Sequence, residues 1–385
     1  MIKHVAVILK IHKPYDRQVL AGIARYVRGV GNWSLYVEDD PHSKLPNFKQ
    51  WNGQGLLVDL DDVRIAHAVR GVNLPTVAIG GGRGGYSFDE QLPYVFSSHE
   101  AVGRVAAEHL IDRGFRNFAY CGMPRTAFNP WSQGRCEAFS QRIAEKGHTC
   151  HTYTGRHQTP RQWESLQKDL TDWIKTLPLP VGLMACNDAR ARHVLEACRR
   201  AELRVPEDVA VLGVDNDEMM CELSSPPLSS VIQATDRVGY QAALMLDKLM
   251  SGETLDQRVV EVSPLGVATR HSTDVLAVQD AKVAEAIALI RDRACEPLQV
   301  RDVLAHAGLS RATLEVRFKR VLGRTIHSEI QRVQIATASE LLAMTDVPIK
   351  TVAERVGFKY VQYLTTVFRR ATGYTPAAFR RRSRQ

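Results

Sequence analysis

Along residues 1 to 272, short runs of β-branched and aromatic residues alternate with longer stretches whose apolar positions recur every three or four residues. The runs predict strands at His4 to Leu9, Ser34 to Val37, Gly55 to Val58, Thr76 to Ile79, Tyr94 to Phe96, Asn117 to Cys121, Cys150 to Tyr153, Gly182 to Ala185, Val209 to Gly213 and Ser229 to Ile232. The stretches predict helices at Gln18 to Gly29, Glu100 to Arg113, Gln133 to Glu145, Arg161 to Thr176, Ala189 to Ala201 and Val238 to Met250. Strict alternation of strand and helix implies open parallel sheets with helices on both faces, and about ten strands suit two sheets better than one. The expected body is a two-lobed, doubly wound α/β domain.

After about residue 280 the pattern becomes purely helical and repeats itself. Between 300 and 321, Val300, Val303, Leu304 and Ala307 share one helical face, Gly308 supplies a turn, and Ser310 can cap a second helix with Leu314 and Phe318 turned inward. Between 349 and 371, Ile349, Val352, Ala353, Val356 and Gly357 precede Leu364 and Phe368 at the same four-residue spacing. The two glycines lie 49 residues apart. A short turn between steeply crossed helices needs a permissive φ, which explains a glycine in each copy.

Two such copies describe a double helix-turn-helix whose second helices face nucleic acid. The outward positions are Arg311, Ala312, Thr313, Glu315, Val316, Lys319 and Arg320 on the first, and Lys359, Tyr360, Val361, Gln362, Thr366, Arg369 and Arg370 on the second. From about Thr325 to Met344 the chain is apolar at helical spacing, without proline or glycine, and reads as a stiff connecting helix.

These residues resemble the AraC family of bacterial transcription activators over about residues 281 to 385. The most specific stretch is Ile349, Val352, Ala353, Val356, Gly357, Phe358, Leu364, Phe368, Gly373, Thr375 and Pro376. Leu364 departs from the phenylalanine of many members, and Ala312 and Val316 stand where many carry arginine or other long polar side chains. Apolar groups there fit a thymine methyl better than a guanine edge, so no base preference carries over.

Charge follows the same division. Residues 280 to 385 hold 19 Lys plus Arg against 10 Asp plus Glu, or +9, and the remaining 31 and 32 leave −1, so the net +8 comes from the helical region. A basic domain beside a near-neutral one fits phosphate binding by the tail and another task for the body. The cluster Arg380, Arg381, Arg382 and Arg384 adds cations, equally readable as a solubilising tail. Seven cysteines show no Cys-x-x-Cys pair and no zinc spacing, and read as reduced small hydrophobes. No run approaches the roughly 18 apolar residues of a membrane span, and Met1 to Leu9 is too short for a secretory signal; a cytoplasmic location is expected.

In open α/β sheets ligands sit beyond the carboxyl ends of strands. Four such places carry polar chemistry: Tyr15, Asp16 and Arg17 after the first strand; Trp131 and Arg135 after the strand ending at Cys121; Asn187 and Asp188 after Ala185; and Asp215 after Gly213. Carboxylates, an amide and guanidinium groups converging on a cleft suit a neutral polyol, because each can make paired hydrogen bonds to vicinal hydroxyls. An aromatic ring from Trp131 or Tyr15 can stack on a sugar. The alternative is that Asp16, Asn187 and Asp215 merely cap the helices that follow, and Asp16 and Asn187 sit where a cap would.

This body resembles the sugar-binding core of LacI-type repressors and periplasmic binding proteins. The resemblance rests on Ser98-His99-Glu100, Arg135 four residues before Phe139, Asn187-Asp188, Val205-Pro206-Glu207-Asp208-Val209, Gly213 with Asp215, and Leu228-Ser229-Ser230-Val231. It implies that Arg135, Asn187 and Asp215 contact sugar, that two lobes close around it, and that DNA binding has moved from the amino-terminal headpiece to the opposite end. The domain organisation expected is an effector domain at 1–272, a joint at 273–280 and a DNA-binding domain at 281–385. A LacI-like body on an AraC-like tail is similar to activators of xylose operons, through Pro14-Tyr15-Asp16-Arg17-Gln18-Val19, Asp188-Ala189-Arg190-Ala191-Arg192-His193 and Val214-Asp215-Asn216. That resemblance implies D-xylose as effector, with double-stranded DNA, RNA polymerase and a second copy of the chain as partners. Nothing in these residues physically separates a pentose from a hexose.

Catalysis is not expected. Gly80, Gly82 and Gly85 satisfy Gly-x-Gly-x-x-Gly, yet no helix is predicted over Tyr86 to Pro93 to receive a pyrophosphate. His4, His12, His99 and His193 show no nucleophile-base or metal spacing. The reading from another class is a sugar-binding or sugar-modifying protein whose basic tail packs without reading sequence.

Overall fold

The computed structural model describes residues 2–11, 13–37, 47–80, 92–124, 129–155, 162–274 and 280–384. Its contacts divide the chain into two units, one of residues 1–108 and 117–273, the other of 109–116 and 274–385. No helix among the described residues is long and apolar enough to cross a membrane.

The first unit contains two six-stranded sheets. One runs β11 (Val259–Val262), β5 (Tyr94–Ser97), β4 (Thr76–Ile79), β3 (Gly55–Asp59), β1 (Lys3–Ile8), β2 (Trp33–Val37), with every pairing parallel. The other runs β12 (Gly266–Ala268), β10 (Ser229–Ile232), β9 (Val209–Val214), β8 (Val181–Ala185), β6 (Asn117–Cys121), β7 (Cys150–Tyr153), parallel except for β12 against β10. Central strands β3, β8 and β9 are buried along their whole length, as expected where helices cover both faces. The sequence pattern missed β11 and β12. Both are short, and β12 is half-buried throughout, so neither carries a long apolar run.

Around the sheets lie α1 (Pro14–Val30), α2 (Val63–Val69), α3 (His99–Ile111), α4 (Pro130–Glu145), α5 (Trp163–Ile174), α6 (Asp188–Arg200), α7 (Glu218–Glu222) and α8 (Thr235–Met250). Helix α1 begins four residues before the expected Gln18, because Pro14 suits the first turn, where an amide donor is not needed. The chain passes between the two sheet layers three times: after β5, between β10 and α8, and between β11 and β12. Helix α8 follows a strand of the second sheet yet packs on α1 and the first sheet. Its backbone lies against α1 so closely that a Cβ on Gly239 would fall 1.9 Å from the Val19 carbonyl oxygen.

The second unit is helical: α9 (Ala281–Arg293), α10 (Val300–Ala307), α11 (Arg311–Leu322), α12 (Ile326–Met344), α13 (Ile349–Arg355), α14 (Val361–Thr372) and α15 (Pro376–Arg384). Helix α12 serves two cores. Its Ile326 and Ile330 join Val283, Ile287, Val303, Leu314 and Phe318, while its Ile335, Ala338 and Leu342 join Val352, Val356, Leu364 and Phe368. Buried Glu329 on α12 pairs with Arg324 at 3.3 Å and Arg332 at 2.8 Å. Helix α9 completes the first core and carries Asp280 as its amino-terminal cap.

Of the expected joint, 275–279 lies outside the described residues; its ends belong to folded structure. Thr273 is buried in a short turn, His271–Thr273, and its hydroxyl donates to the Ser229 hydroxyl oxygen at 2.7 Å. The carboxyl-terminal arginines are not a loose tail as far as Arg380, whose guanidinium donates to the Val347 carbonyl at 2.6 Å within α15. Gly82 and Gly85 of the glycine-rich stretch lie outside the described residues.

Candidate effector cleft and nucleic-acid interface

The first turn of α1 and the ends of β1, β3 and β5 form one wall of polar groups. Tyr15 lies on α1 with its hydroxyl 3.1 Å from the Ser97 hydroxyl at the end of β5, and burial pushes the phenol well above its ordinary range. Asp16 is buried in the same turn. It is the third residue of α1, not its cap, which corrects the capping alternative; Lys13 holds that position. Asp59, also buried, ends β3, and Lys10 reaches it at 3.9 Å and Asp62 at 3.3 Å. Burial raises the carboxyls of Asp16 and Asp59; the Asp59 charge adds to the effect on Asp16, and Lys10 and Lys13 oppose it. Arg17 is exposed and donates to the Ile11 carbonyl at 3.2 Å.

The second wall is built on Arg135 of α4. Its guanidinium is buried, donates to the Cys186 carbonyl at 2.5 Å, lies 3.6 Å from the Asp215 carboxylate and sits 4.8 Å from the centre of the Trp131 ring. Asp215 follows β9 with φ of 109°, a left-handed conformation costly for a non-glycine residue, and receives the Gln233 amide at 2.5 Å. Burial raises the Asp215 carboxyl, while Arg135 and Gln233 pull it down. Asn187 does cap α6, its side-chain oxygen accepting from the Arg190 amide at 2.9 Å. Asp188 braces the wall from behind: it accepts from the Ser230 hydroxyl at 2.6 Å and the Asp217 amide at 2.9 Å, and burial, then the Asp215 charge, pushes it up to about 7.

The walls feel each other, since Arg135 acts on the Tyr15 phenol and Lys13 on the Asp215 carboxyl. The fold thus brings together Tyr15, Asp16, Trp131, Arg135, Asn187 and Asp215, sets Asp188 behind them, and leaves Arg17 exposed. Beside the Asp215 carboxylate, a buried donor and a buried acceptor, Arg135 Nε and Gln233 Oε1, make no hydrogen bond among the described residues. Asp215 keeps 17% of its side chain exposed beside the Arg135 guanidinium, and a carboxylate and guanidinium side by side suit a ligand with vicinal hydroxyls. Sequence reasoning missed Gln233, Asp59, Lys10 and Ser97. The signal was present, because Asp59 and Ser97 end strands and Gln233 directly follows one.

In the helical unit, α11 leaves Arg311, Ala312, Thr313, Lys319 and Arg320 exposed, with Val316 58% exposed and Glu315 half-buried. On and before α14, Lys359, Tyr360, Gln362, Thr366, Arg369 and Arg370 are exposed. Val361 is a correction: it packs against the second core and does not point outward. Tyr363, absent from the expected face, is 50% exposed.

Three family models match successive stretches: the XylR N-terminal domain at residues 4–99, a periplasmic binding protein-like domain at 107–273 and a helix-turn-helix domain at 303–382. The xylose operon regulatory protein of Escherichia coli K12 is 35% identical over 380 residues, covering 98% of this chain and 96% of the relative. The chain belongs to the xylose operon regulator family. Another xylose operon regulatory protein, from Haemophilus influenzae, is 35% identical over 377 residues, covering 98% of this chain and 97% of the relative. A solved structure of the xylose-binding transcription activator xylR aligns with a TM-score of 0.66 at 33% identity, over 99% of this chain and 98% of that one. A regulator bound to cellobiose shares the fold of the body at 22% identity, with a TM-score of 0.57 over 70% of this chain and 84% of that one. Membership in the xylose operon regulators therefore spans both the cleft and the paired helix-turn-helix motifs.

Proposed function

We propose that the chain is a transcription activator that binds D-xylose between the walls of the first unit and double-stranded DNA through α11 and α14. The observation that carries this reading is the Arg135, Asp215 and Gln233 group at the ends of β9 and β10, in a chain that follows the xylose operon regulators along its whole length. Vicinal hydroxyls of a pyranose complete that group: Asp215 accepts, Arg135 donates and the amide does either. The Trp131 ring, already under the Arg135 guanidinium, offers its other face to the sugar.

Closing the lobes favours one arrangement of the tails only if sugar binds the closed form more tightly, so the switch is a difference in affinity between two states. A homodimer would then set its recognition helices on successive major-groove segments, about 34 Å apart, and bring RNA polymerase to the promoter. The chain is read as non-catalytic, working in the cytoplasm, with the sugar as its only small-molecule requirement.

Calorimetric titration with xylose, arabinose and ribose tests the effector. Xylose should bind and raise thermal stability, and Arg135→Ala or Asp215→Ala should weaken it at least a hundredfold while basal DNA affinity stays. Preference for arabinose, ribose or a hexose would transfer the reading to that sugar. Binding to all DNA sequences alike, with only a steep salt slope, would remove the regulator reading and leave a sugar-binding protein with a basic tail.

A further inference from the structure

Tyr363 lies in the first turn of α14 and Arg370 in its last, both exposed, and one side chain from the connecting helix touches both. The Gln331 amide nitrogen on α12 donates to the Tyr363 hydroxyl oxygen at 2.9 Å, and its amide oxygen accepts from Arg370 at 3.5 Å. The orientation of that amide follows from chemistry. A guanidinium has no acceptor, so the oxygen of Gln331 must face Arg370 and its NH2 must face Tyr363. The tyrosine oxygen is then an acceptor, and its proton remains to be donated outward. Beneath it, the ring rests on buried Phe358 with centres 5.6 Å apart, so the hydroxyl is held at both ends.

What this arrangement offers is a fixed O–H donor and a cation on one flank of the recognition helix, with the amide acceptor already used. That pair fits an oxygen anion. Bases are read mainly from the amino-terminal part of a recognition helix, whereas Arg370 lies in the last turn, and a tethered tyrosine cannot shift to follow one base or another. We infer that Tyr363 and Arg370, set by Gln331 as a positioning residue, grip the DNA phosphate backbone and fix the register of α14, leaving sequence reading in the second copy to Gln362 and Thr366. The first copy has no such clamp: the residue aligned with Tyr363 is Thr313, whose hydroxyl lies 2.9 Å from that of the helix cap Ser310.

The inference rests on the DNA-binding reading above, and the test separates the two. Full-length protein is titrated by fluorescence anisotropy against a duplex selected from random sequence, and against variants of that duplex with each second half-site base pair changed in turn. If the wild type shows no saturable preference for the selected duplex, the regulator reading fails. Where it binds, Tyr363→Phe is expected to weaken affinity about tenfold on every variant alike, leaving the base-preference profile unchanged. Gln331→Ala should match that loss without touching DNA itself, and the double variant should bind no more weakly than either single one. Arg370→Gln should lower the slope of log affinity against log salt by about one. All four proteins should melt at the wild-type temperature. A loss confined to one base pair, additive losses in the double variant, or unchanged affinity for Tyr363→Phe would each overturn the clamp.

Discussion

Aligned on Leu314 and Leu364, the two helix-turn-helix copies share their inward residues and the cations of the last turn, Lys319-Arg320 and Arg369-Arg370, and little else. Phe318 falls on Phe368, but Gly308 precedes its recognition helix by three residues and Gly357 by four, so the second turn is one residue longer. The first turn ends on Ser310, whose hydroxyl caps α11; the second ends on Tyr360, which makes no side-chain cap. Outward, the first copy presents Ala312, Thr313 and Val316 where the second presents Gln362, Tyr363 and Thr366. The lesson is that a repeated core plan fixes where a recognition helix sits, while the turn and the outer face are free to diverge. On the DNA-binding reading proposed above, small apolar groups would suit the first copy to thymine methyls and hydrogen-bonding groups would suit the second to polar base edges.

The largest expected effects probe whether the two cores are separate. Phe318→Ala and Phe368→Ala each empty a fully buried aromatic site and should cost about 3–5 kcal/mol. Hydrogen exchange should then speed up mainly in the copy that carries the change. Equal acceleration in both copies would show one cooperative core joined through α12 and break the comparison.

Next come the turns. Gly308 and Gly357 have φ of 67° and 79°, but a Cβ on Gly308 would enter open space, whereas one on Gly357 would lie 3.1 Å from the Cys295 carbonyl oxygen and from the Gln334 amide nitrogen. Gly308→Ala should therefore cost about 1–2 kcal/mol from left-handed strain alone, and Gly357→Ala more, read as urea midpoints. Ser310→Ala should cost about 1 kcal/mol through the lost cap, and Tyr360→Ala should leave helix stability nearly unchanged. Matching losses at the two caps would mean that the tyrosine supports α14 by a route other than capping. Smallest is the methyl contact: Val316→Ser should reduce preference for one thymine in the first half-site about fourfold, measured by competition between duplexes, and should leave the second half-site alone.

Much of this was legible in the chain because burial and period are tightly linked. The short apolar, β-branched runs around Val58, Leu183 and Val211 read as central strands, and the spacing of Leu314 with Phe318 and Leu364 with Phe368 announced both helix-turn-helix copies. What escaped were short elements whose residues carry no strong period, β11, β12 and the five-residue α7, and α9, whose Val283, Ile287, Ile290 and Ala294 do recur at helical spacing but whose role as the floor of the first core depends on partners remote in sequence. The cleft was legible by position and less so by role. Asn187 and Asp188 both follow β8; the sequence already offered Asn187 as a cap, and only the three-dimensional arrangement shows Asp188 turned toward Ser230. Gln233 directly follows β10, the position that marks a ligand end of the sheet, and went unseen because that rule was not applied after β10. Val361 was misplaced for a different reason: at the first position of a helix, a helical wheel does not tell whether a side chain tucks under the core.

The three chain passages between the sheet layers of the first unit have a mechanical meaning. One strand of chain would be a swivel and two would allow bending with some twist; three passages, hydrogen-bonded through Ser98 to Val262 and Leu265 to Ile232, favour a hinge over free rotation. On the proposed reading, sugar binding at Arg135, Asp215 and Gln233 would then drive mainly that one coordinate, like a key turning a lock with one permitted rotation.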